Sequence, residues 1–81
     1  MLQTAQIRAA RALLGWNQAY LAKAANVSIA TIRRMEAQEG PVMGYVSTLI
    51  RIQSAFEQAG ICFLDTDAGG GIGVRLKAPK A

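Results

Sequence analysis

Residues 17–36, which read NQAYLAKAANVSIATIRRME, decide the fold of this chain. The pattern predicts a short helix over residues 18–25, a sharp turn at Asn26, and a second helix over residues 28–37 that Ser28 caps. Asparagine suits the turn because it adopts a positive φ more readily than any residue except glycine. The stretch therefore predicts two short helices that pack against each other. Small or apolar residues recur where the two helices must touch: Leu21, Ala22, Ala25, Val27, Ile32 and Met35.

The other side of the second helix lies off this apolar stripe. It carries Thr31, Arg33 and Arg34, with Ile29 and Ala30 at its start. A helix that is packed on one side and presents two guanidinium groups and a hydroxyl on the other suits the major groove of DNA. Two arginines on a helix are more often a solvated surface, but the tight turn directly before this helix favours the functional interpretation. We therefore predict a helix-turn-helix whose partner is double-stranded DNA.

The composition agrees with a small globular domain that binds a polyanion. The chain has 81 residues, enough for a single domain, and its 9 lysines and arginines against 5 acidic residues give a net charge of +4. A basic helical domain favours partners such as nucleic acid. The sequence has one cysteine, Cys62, and no histidine, so it offers no disulfide, no zinc framework and no activated nucleophile. We expect no enzyme activity, no cofactor and no metal site.

No targeting or membrane segment is recognisable in the sequence. The amino-terminal residues lack the charged start and the long apolar run of a secretory signal. No stretch reaches the roughly eighteen continuous apolar residues of a membrane span. We therefore expect a cytoplasmic protein without membrane contact.

Two further helices are predicted, one on each side of this pair. The first runs from residue 4 to residue 14, with Thr4 as its N-cap and Gly15 as the left-handed residue that ends it. Trp16 precedes the cap of the next helix, and we expect it to pack between helices rather than bind a ligand. The last helix covers residues 47–59 and ends at Gly60.

The end of the chain changes character. Residues 61–64 and 74–77 are predicted to form two short strands, which a glycine-rich segment connects into a β-hairpin. The glycine-rich segment does not match a phosphate-binding loop, because a strand rather than a helix follows it. An isolated two-stranded hairpin is only marginally stable, so this one must either lean on the helices or pair with a second copy.

The pattern in residues 17–36 resembles a known family, the XRE-type, phage-repressor and Cro-like helix-turn-helix of small bacterial regulators, and the resemblance covers about residues 6–63. The resemblance implies a mainly α, lambda-repressor-like domain of four or five helices with a short C-terminal β-hairpin. We assign residues 1–60 to the helix-turn-helix DNA-binding domain and residues 61–81 to the hairpin extension and basic tail. The residues that carry the resemblance are Asn17-Gln18-Ala19-x-Leu21-Ala22, then Val27-Ser28, then Thr31-Ile32-Arg33-Arg34-x-Glu36.

The resemblance also implies roles for individual residues. Gln18, at the start of a helix, matches a position that holds a phosphate. Arg34 matches a base-edge position, where an arginine can take O6 and N7 of guanine through two hydrogen bonds. Arg33 is expected either to contact a phosphate or to point into solvent. The full predicted DNA-contacting set is Asn17, Gln18, Ser28, Ile29, Ala30, Thr31, Arg33, Arg34 and Tyr45.

Several of these positions have open alternatives. Ile29 and Ala30 depart from the polar pair of some well-known family members and can only touch a thymine methyl group. Tyr45, in the loop after the third helix, is expected either to donate to a phosphate or to pack under that loop. The resemblance pairs Arg11 with Glu36 in an ion pair that ties the first helix to the end of the third. From sequence alone, either residue could be an ordinary surface charge.

The resemblance implies a sequence-specific transcriptional regulator that acts as a homodimer. One such domain reads few base pairs, so tight binding needs two copies on half-sites about 34 Å apart. The hairpin and the exposed side of the last helix are the candidate dimer contacts. The alternative is an antitoxin-like protein-interaction module whose C-terminal hairpin binds another protein.

Overall fold

The structure is a computed structural model that describes residues 2–78. Within that range, the chain forms four α-helices followed by a two-stranded antiparallel sheet. The predicted mainly α fold with a C-terminal β-hairpin is confirmed. Residues 79–81, the end of the predicted basic tail, lie outside the described residues. The elements are α1 (Thr4–Leu14), α2 (Gln18–Ala25), α3 (Ile29–Glu36), α4 (Val46–Gln58), β1 (Ile61–Leu64) and β2 (Gly73–Leu76).

The predicted bounds of α1 are confirmed, but its predicted cap is wrong. The N-cap is Gln3, which has extended backbone angles and whose main-chain N–H donates to Gln6 Oε1 at 2.8 Å. Thr4 is instead the first helical residue, and its buried hydroxyl donates to the carbonyl oxygen of Gly40 at 3.1 Å. Thr4 therefore ties α1 to the loop after α3 and does not cap its own helix.

The connections between α1, α2 and α3 form as predicted. Gly15 ends α1 with φ 68°, and Asn17 caps α2 by accepting from the N–H of Tyr20 at 2.7 Å. Asn26 makes the sharp turn with φ 57°, in the left-handed region that asparagine tolerates. Ser28 then caps α3 by accepting from the N–H of Thr31 at 3.1 Å.

Helix α3, expected over residues 28–37, covers Ile29–Glu36, one residue less at each end. The later elements also differ from the prediction by one residue. The helix expected over residues 47–59 is α4, Val46–Gln58, and the strand expected over residues 74–77 is β2, Gly73–Leu76. Such one-residue differences at element ends follow from fraying and from how the last turn is bonded.

One apolar core joins the four helices to the first strand. Trp16 lies between α2 and α4, as expected, because its ring centroid is 5.6 Å from that of Phe56 and 4.8 Å from that of Tyr20. Phe56 also meets Phe63 of β1 edge to face. The largest fully buried apolar side chains are Ile7, Leu21, Ile32, Ile52, Phe56 and Ile61.

The β-hairpin leans on the helical body. Its strands pair from Ile61 opposite Leu76 to Leu64 opposite Gly73. At the loop end of the hairpin, the buried amide of Gln6 in α1 donates to the carbonyl oxygens of Leu64 and Gly73, both at 3.1 Å. Buried Ile61 belongs to the core cluster. The helical body therefore supplies the support that an isolated hairpin lacks.

Candidate nucleic-acid interface

Helix α3 has one buried side and one exposed side. Ile32 and Met35 are buried in the core, whereas Arg33 and Arg34 are exposed. The helix is eight residues long, so its two turns present only a small number of side chains to solvent. The two guanidinium groups are the charged groups among them.

The first turn of α3 departs from the prediction at one position. Ile29 was expected off the apolar stripe, and this is wrong: its side chain is half-buried and packs against the core. The reason is geometric, because Ile29 lies three residues before Ile32 and shares its side of the helix. Ala30 is exposed, and the hydroxyls of Ser28 and Thr31 lie 2.8 Å apart in a hydrogen bond.

The positive charges of the chain have different partners. Among residues 2–78, the single ion pair is that of Arg11 with Glu36. Lys77 donates to the carbonyl oxygen of Glu57 at the end of α4. Arg33 and Arg34 are exposed and paired with no carboxylate in the described part of the chain, so their donors are free for an anion or a base edge.

The Arg11–Glu36 ion pair is bidentate. Arg11 Nε donates to Glu36 Oε2 at 2.7 Å, and Arg11 Nη2 donates to Glu36 Oε1 at 2.6 Å. The hydrogen bond to the carboxylate raises the pKa of Arg11, against the opposing effect of burial and with a smaller contribution from the negative charge itself. Glu36 is only 7% exposed, so the pair fastens the end of α3 to α1.

Two more side chains join this pair. Gln18 Nε2 donates to Glu36 Oε1 at 3.3 Å, so its amide points toward Glu36. Arg8 Nη1 donates to the main-chain oxygen of Glu36 at 2.8 Å. We call Arg8, Arg11, Gln18 and Glu36 the Glu36 cluster. The role of Arg8 was missed, although its position three residues before Arg11 places both arginines on one side of α1.

The family comparison agrees with this arrangement. The helix-turn-helix family model matches residues 7–42, which run from α1 to the loop after α3. This match supports an XRE-type helix-turn-helix within that segment. No curated protein matches the chain. The match supports a DNA-binding regulator of the XRE kind, a family of regulatory domains rather than of enzymes.

The matched segment contains α2, α3 and the whole Glu36 cluster, but it ends before Tyr45 and the hairpin. None of the helices within residues 2–78 combines the length and the apolar character that crossing a membrane requires.

A groove lies beside the helix-turn-helix, between α3 and the start of α4. Its volume is about 360 Å³. Gly44 allows the close approach, because a Cβ at this residue would stand 2.6 Å from the terminal methyl of Met35. Tyr45 is 84% exposed, so the alternative that it packs under its loop is wrong. The lining residues are Thr31, Arg34, Met35, Met43, Gly44, Tyr45 and Thr48.

This groove brings together polar groups from α3, from the loop after it and from the first turn of α4. The hydroxyls of Thr31, Tyr45 and Thr48 and the guanidinium of Arg34 line it together. Tyr45 is also the N-cap residue of α4 and makes no side-chain cap, so the first N–H groups of that helix lack a side-chain acceptor from it. Thr48 was missed because nothing in the local pattern indicates that α4 begins next to α3.

Proposed function

We propose that this protein is a sequence-specific transcriptional regulator that lays α3 in the major groove of double-stranded DNA. The observation that carries the proposal is the placement of Arg33 and Arg34, exposed and unpaired with any carboxylate in the described chain, on a helix whose opposite side is buried. A free guanidinium on a helix that fits the groove can reach base edges or phosphates.

The contacts divide into base and backbone contacts. Arg34 takes a guanine edge, and Arg33 takes a phosphate. Ser28, Ala30 and Thr31 enter the groove with the first turn of α3. Ile29 contributes less contact area with the DNA than an exposed residue would, because its side chain is half-buried.

The backbone of the DNA is held on both sides of α3. On one side, Asn17 and Gln18 stand at the start of α2, where helix N–H groups favour an anion. On the other side, Tyr45 and Thr48 line the groove together with Arg34 and supply hydroxyl donors to a phosphate. These contacts fix orientation, whereas the α3 side chains read the bases.

The proposed active form is a homodimer with two-fold symmetry on paired half-sites. The exposed side of α4 supports a dimer contact there, because Val46 and Ile50 are 70% and 59% exposed and stand four residues apart on one side of the helix. Ile61 and Phe63 of the hairpin already pack in the core, which makes α4 the better candidate. A separate protein partner at the hairpin stays a prediction.

The test begins with selection of bound fragments from random duplex DNA. Arg34→Ala is then compared on the selected site with Arg75→Ala, a control that removes the same charge from β2. We expect Arg34→Ala to relax the preference at one base pair at a cost of about 1–3 kcal/mol, and Arg75→Ala to leave the preference unchanged. Failure to enrich any sequence, or equal and sequence-independent losses from both variants, contradicts base reading by Arg34.

The dimer is tested separately by sedimentation with and without the selected site. Ile50→Glu places a charge in the proposed contact, and we expect it to lower the apparent affinity for the paired site while single half-site binding persists. Arg51→Gln, which lowers the net charge equally at the neighbouring exposed position, is the control and should leave the dimer unchanged. A dimer that is unchanged by Ile50→Glu places the contact elsewhere.

A further inference from the structure

The C-terminal end of α3 is held by a side chain from α1. Arg8 Nη1 donates to the main-chain oxygen of Glu36 at 2.8 Å. Earlier in the last turn of α3, the carbonyl oxygen of Arg33 has a local partner, because it accepts from the N–H of Ala37 at 3.1 Å. The last carbonyl oxygen of the helix, that of Glu36, accepts from Arg8 instead. Helix carbonyl ends carry partial negative charge, so a guanidinium is a favourable partner there.

This contact is independent of the ion pair. Arg11 binds the carboxylate of Glu36, whereas Arg8 binds its main chain. Arg8 would therefore hold the end of α3 whichever side chain stood at position 36. Arg8 is also exposed, so its replacement opens no cavity in the core.

The C-terminal end of α3 lies close to Arg34. The helix has eight residues and is about 12 Å long. Arg34 lies two residues before Glu36, so a movement of this end of the helix also moves the guanidinium of Arg34. Recognition groups need support that holds them within about 0.5 Å of their working position.

We propose that Arg8 is a positioning residue for DNA recognition, which fixes the C-terminal end of α3 and thereby aims Arg34 at its base. The inference rests on the proposed function. Arg8 acts through the main chain of Glu36 and needs no contact with DNA for this role.

The competing role for Arg8 is a direct phosphate contact. A guanidinium has five N–H donors, and the structure gives one of those of Arg8 to Glu36. The two roles predict different salt dependence. Loss of one phosphate contact lowers the slope of log affinity against log salt by about 0.9, whereas loss of a positioning contact leaves the slope unchanged.

The experiment compares three variants of the 81-residue chain. Arg8→Gln removes the charge and keeps a residue of similar helix propensity. Arg8→Lys is the rescue variant, because a single carbonyl oxygen needs only one donor. Arg51→Gln removes the same charge from an exposed position on α4.

The first readout is amide hydrogen exchange without DNA. We expect the amides in the last turn of α3 to lose protection about fivefold in Arg8→Gln and to recover in Arg8→Lys, with α4 unchanged. Equal loss of protection in α3 and α4 would mean a general effect on stability and would overturn the positioning role.

The second readout is affinity for the selected site and for random duplex across a salt series. In Arg8→Gln, we expect the ratio of specific to nonspecific affinity to fall about fivefold at an unchanged salt slope. Arg8→Lys should restore the ratio, and Arg51→Gln should not lower it. A parallel fall of both affinities with a reduced slope would assign Arg8 to a phosphate instead, and an unchanged ratio would also overturn the proposal.

The two readouts separate failure of this inference from failure of the proposed function. If the unaltered chain binds no duplex, the proposed function is wrong, and the aiming of Arg34 falls with it. Hydrogen exchange then still decides whether Arg8 holds the end of α3. If the unaltered chain binds DNA selectively and Arg8→Gln gives the same results as the control Arg51→Gln, the positioning role alone is refuted.

Discussion

The sharpest prediction concerns Glu36, whose replacement by glutamine changes little except charge. The carboxylate accepts from Arg11 Nε, Arg11 Nη2 and Gln18 Nε2 at 2.7, 2.6 and 3.3 Å. The side chains of Arg11 and Glu36 are 20% and 4% exposed. Glu36→Gln keeps the shape, removes the negative charge, and leaves the guanidinium of Arg11 without a counter-ion.

The expected loss of stability follows from this burial. Removing one partner of a buried ion pair costs about 3–5 kcal/mol. Arg11 keeps a fifth of its side-chain surface in water, so the lower end, about 3 kcal/mol, applies. In a domain of this size that corresponds to a fall in Tm of about 12–24 °C.

The assay is urea unfolding followed by circular dichroism, for Arg11→Met, Glu36→Gln and the double variant. Each single change should cost about 3 kcal/mol. The double variant should cost much less than the sum, because neither change leaves a charge unpaired once the other is present. Arg51→Met, an exposed arginine in α4, is the control and should change stability by less than about 0.5 kcal/mol.

The pH dependence gives a second check on the same pair. The pKa of Arg11 is raised in the folded state, chiefly by its hydrogen bond to Glu36. A raised folded pKa contributes stability that is present below the ordinary pKa and lost only as the pH rises through the folded value. The arginine contribution should therefore be constant between about pH 6 and pH 9. The reasoning would be refuted if the stability losses of Arg11→Met and Glu36→Gln added up in the double variant. A loss below about 0.5 kcal/mol for Glu36→Gln alone would also refute it.

Four other predictions follow from single positions. Asn26→Ala should cost about 1–2 kcal/mol by forcing alanine into the left-handed region, while Asn26→Gly should be nearly neutral; equal urea midpoints would contradict this. Ser28→Asp should keep the helix cap and the stability but weaken DNA binding, because the new carboxylate repels the phosphates; urea unfolding and a DNA-binding titration check the two effects. Gly44→Ala should lower the free energy of unfolding by less than about 1 kcal/mol, because its Cβ displaces only the flexible end of the Met35 side chain; a loss above about 2 kcal/mol would show that this methyl cannot move. Ile61→Ala should cost about 2–5 kcal/mol and lower the unfolding midpoint of the helices along with the hairpin, and helices that unfold as before would show that the hairpin is separate from the core.

The features that sequence predicted best are those with local causes. Asn17 and Ser28 cap their helices by accepting from an N–H three residues ahead. Gly15 and Asn26 make their turns through their own backbone angles. Each of these effects involves residues that are neighbours in the chain, so residue type and order are sufficient to predict them.

The features that sequence missed depend on residues far apart in the chain. Thr4 has the right side chain for a cap, but its hydroxyl bonds to Gly40, 36 residues later. Gln6 bonds to Leu64 and Gly73, which are 58 and 67 residues away. No local pattern distinguishes such a residue from an ordinary polar residue in the first turn of a helix, because the distant partner exists only after folding.

The candidate site shows the same division. The exposed positions of Arg33 and Arg34 follow from the helical period once Ile32 and Met35 are assigned to the core. The groove next to them does not follow, since it depends on how closely Gly44 approaches Met35. Sequence therefore predicts which side of α3 is open, but not which residues of the following loop stand beside it.

The distribution of charge in the fold explains why net charge alone is a poor measure of DNA binding here. Arg8 and Arg11 count toward the +4 of the sequence, yet both are bonded to the last residue of α3. Glu36, which stands two residues from Arg34 and would repel phosphates if unpaired, is neutralised by Arg11 at the same time. The ion pair thus both fixes α3 and neutralises the negative charge nearest to Arg34, so the charge that α3 presents to solvent is that of its two unpaired arginines.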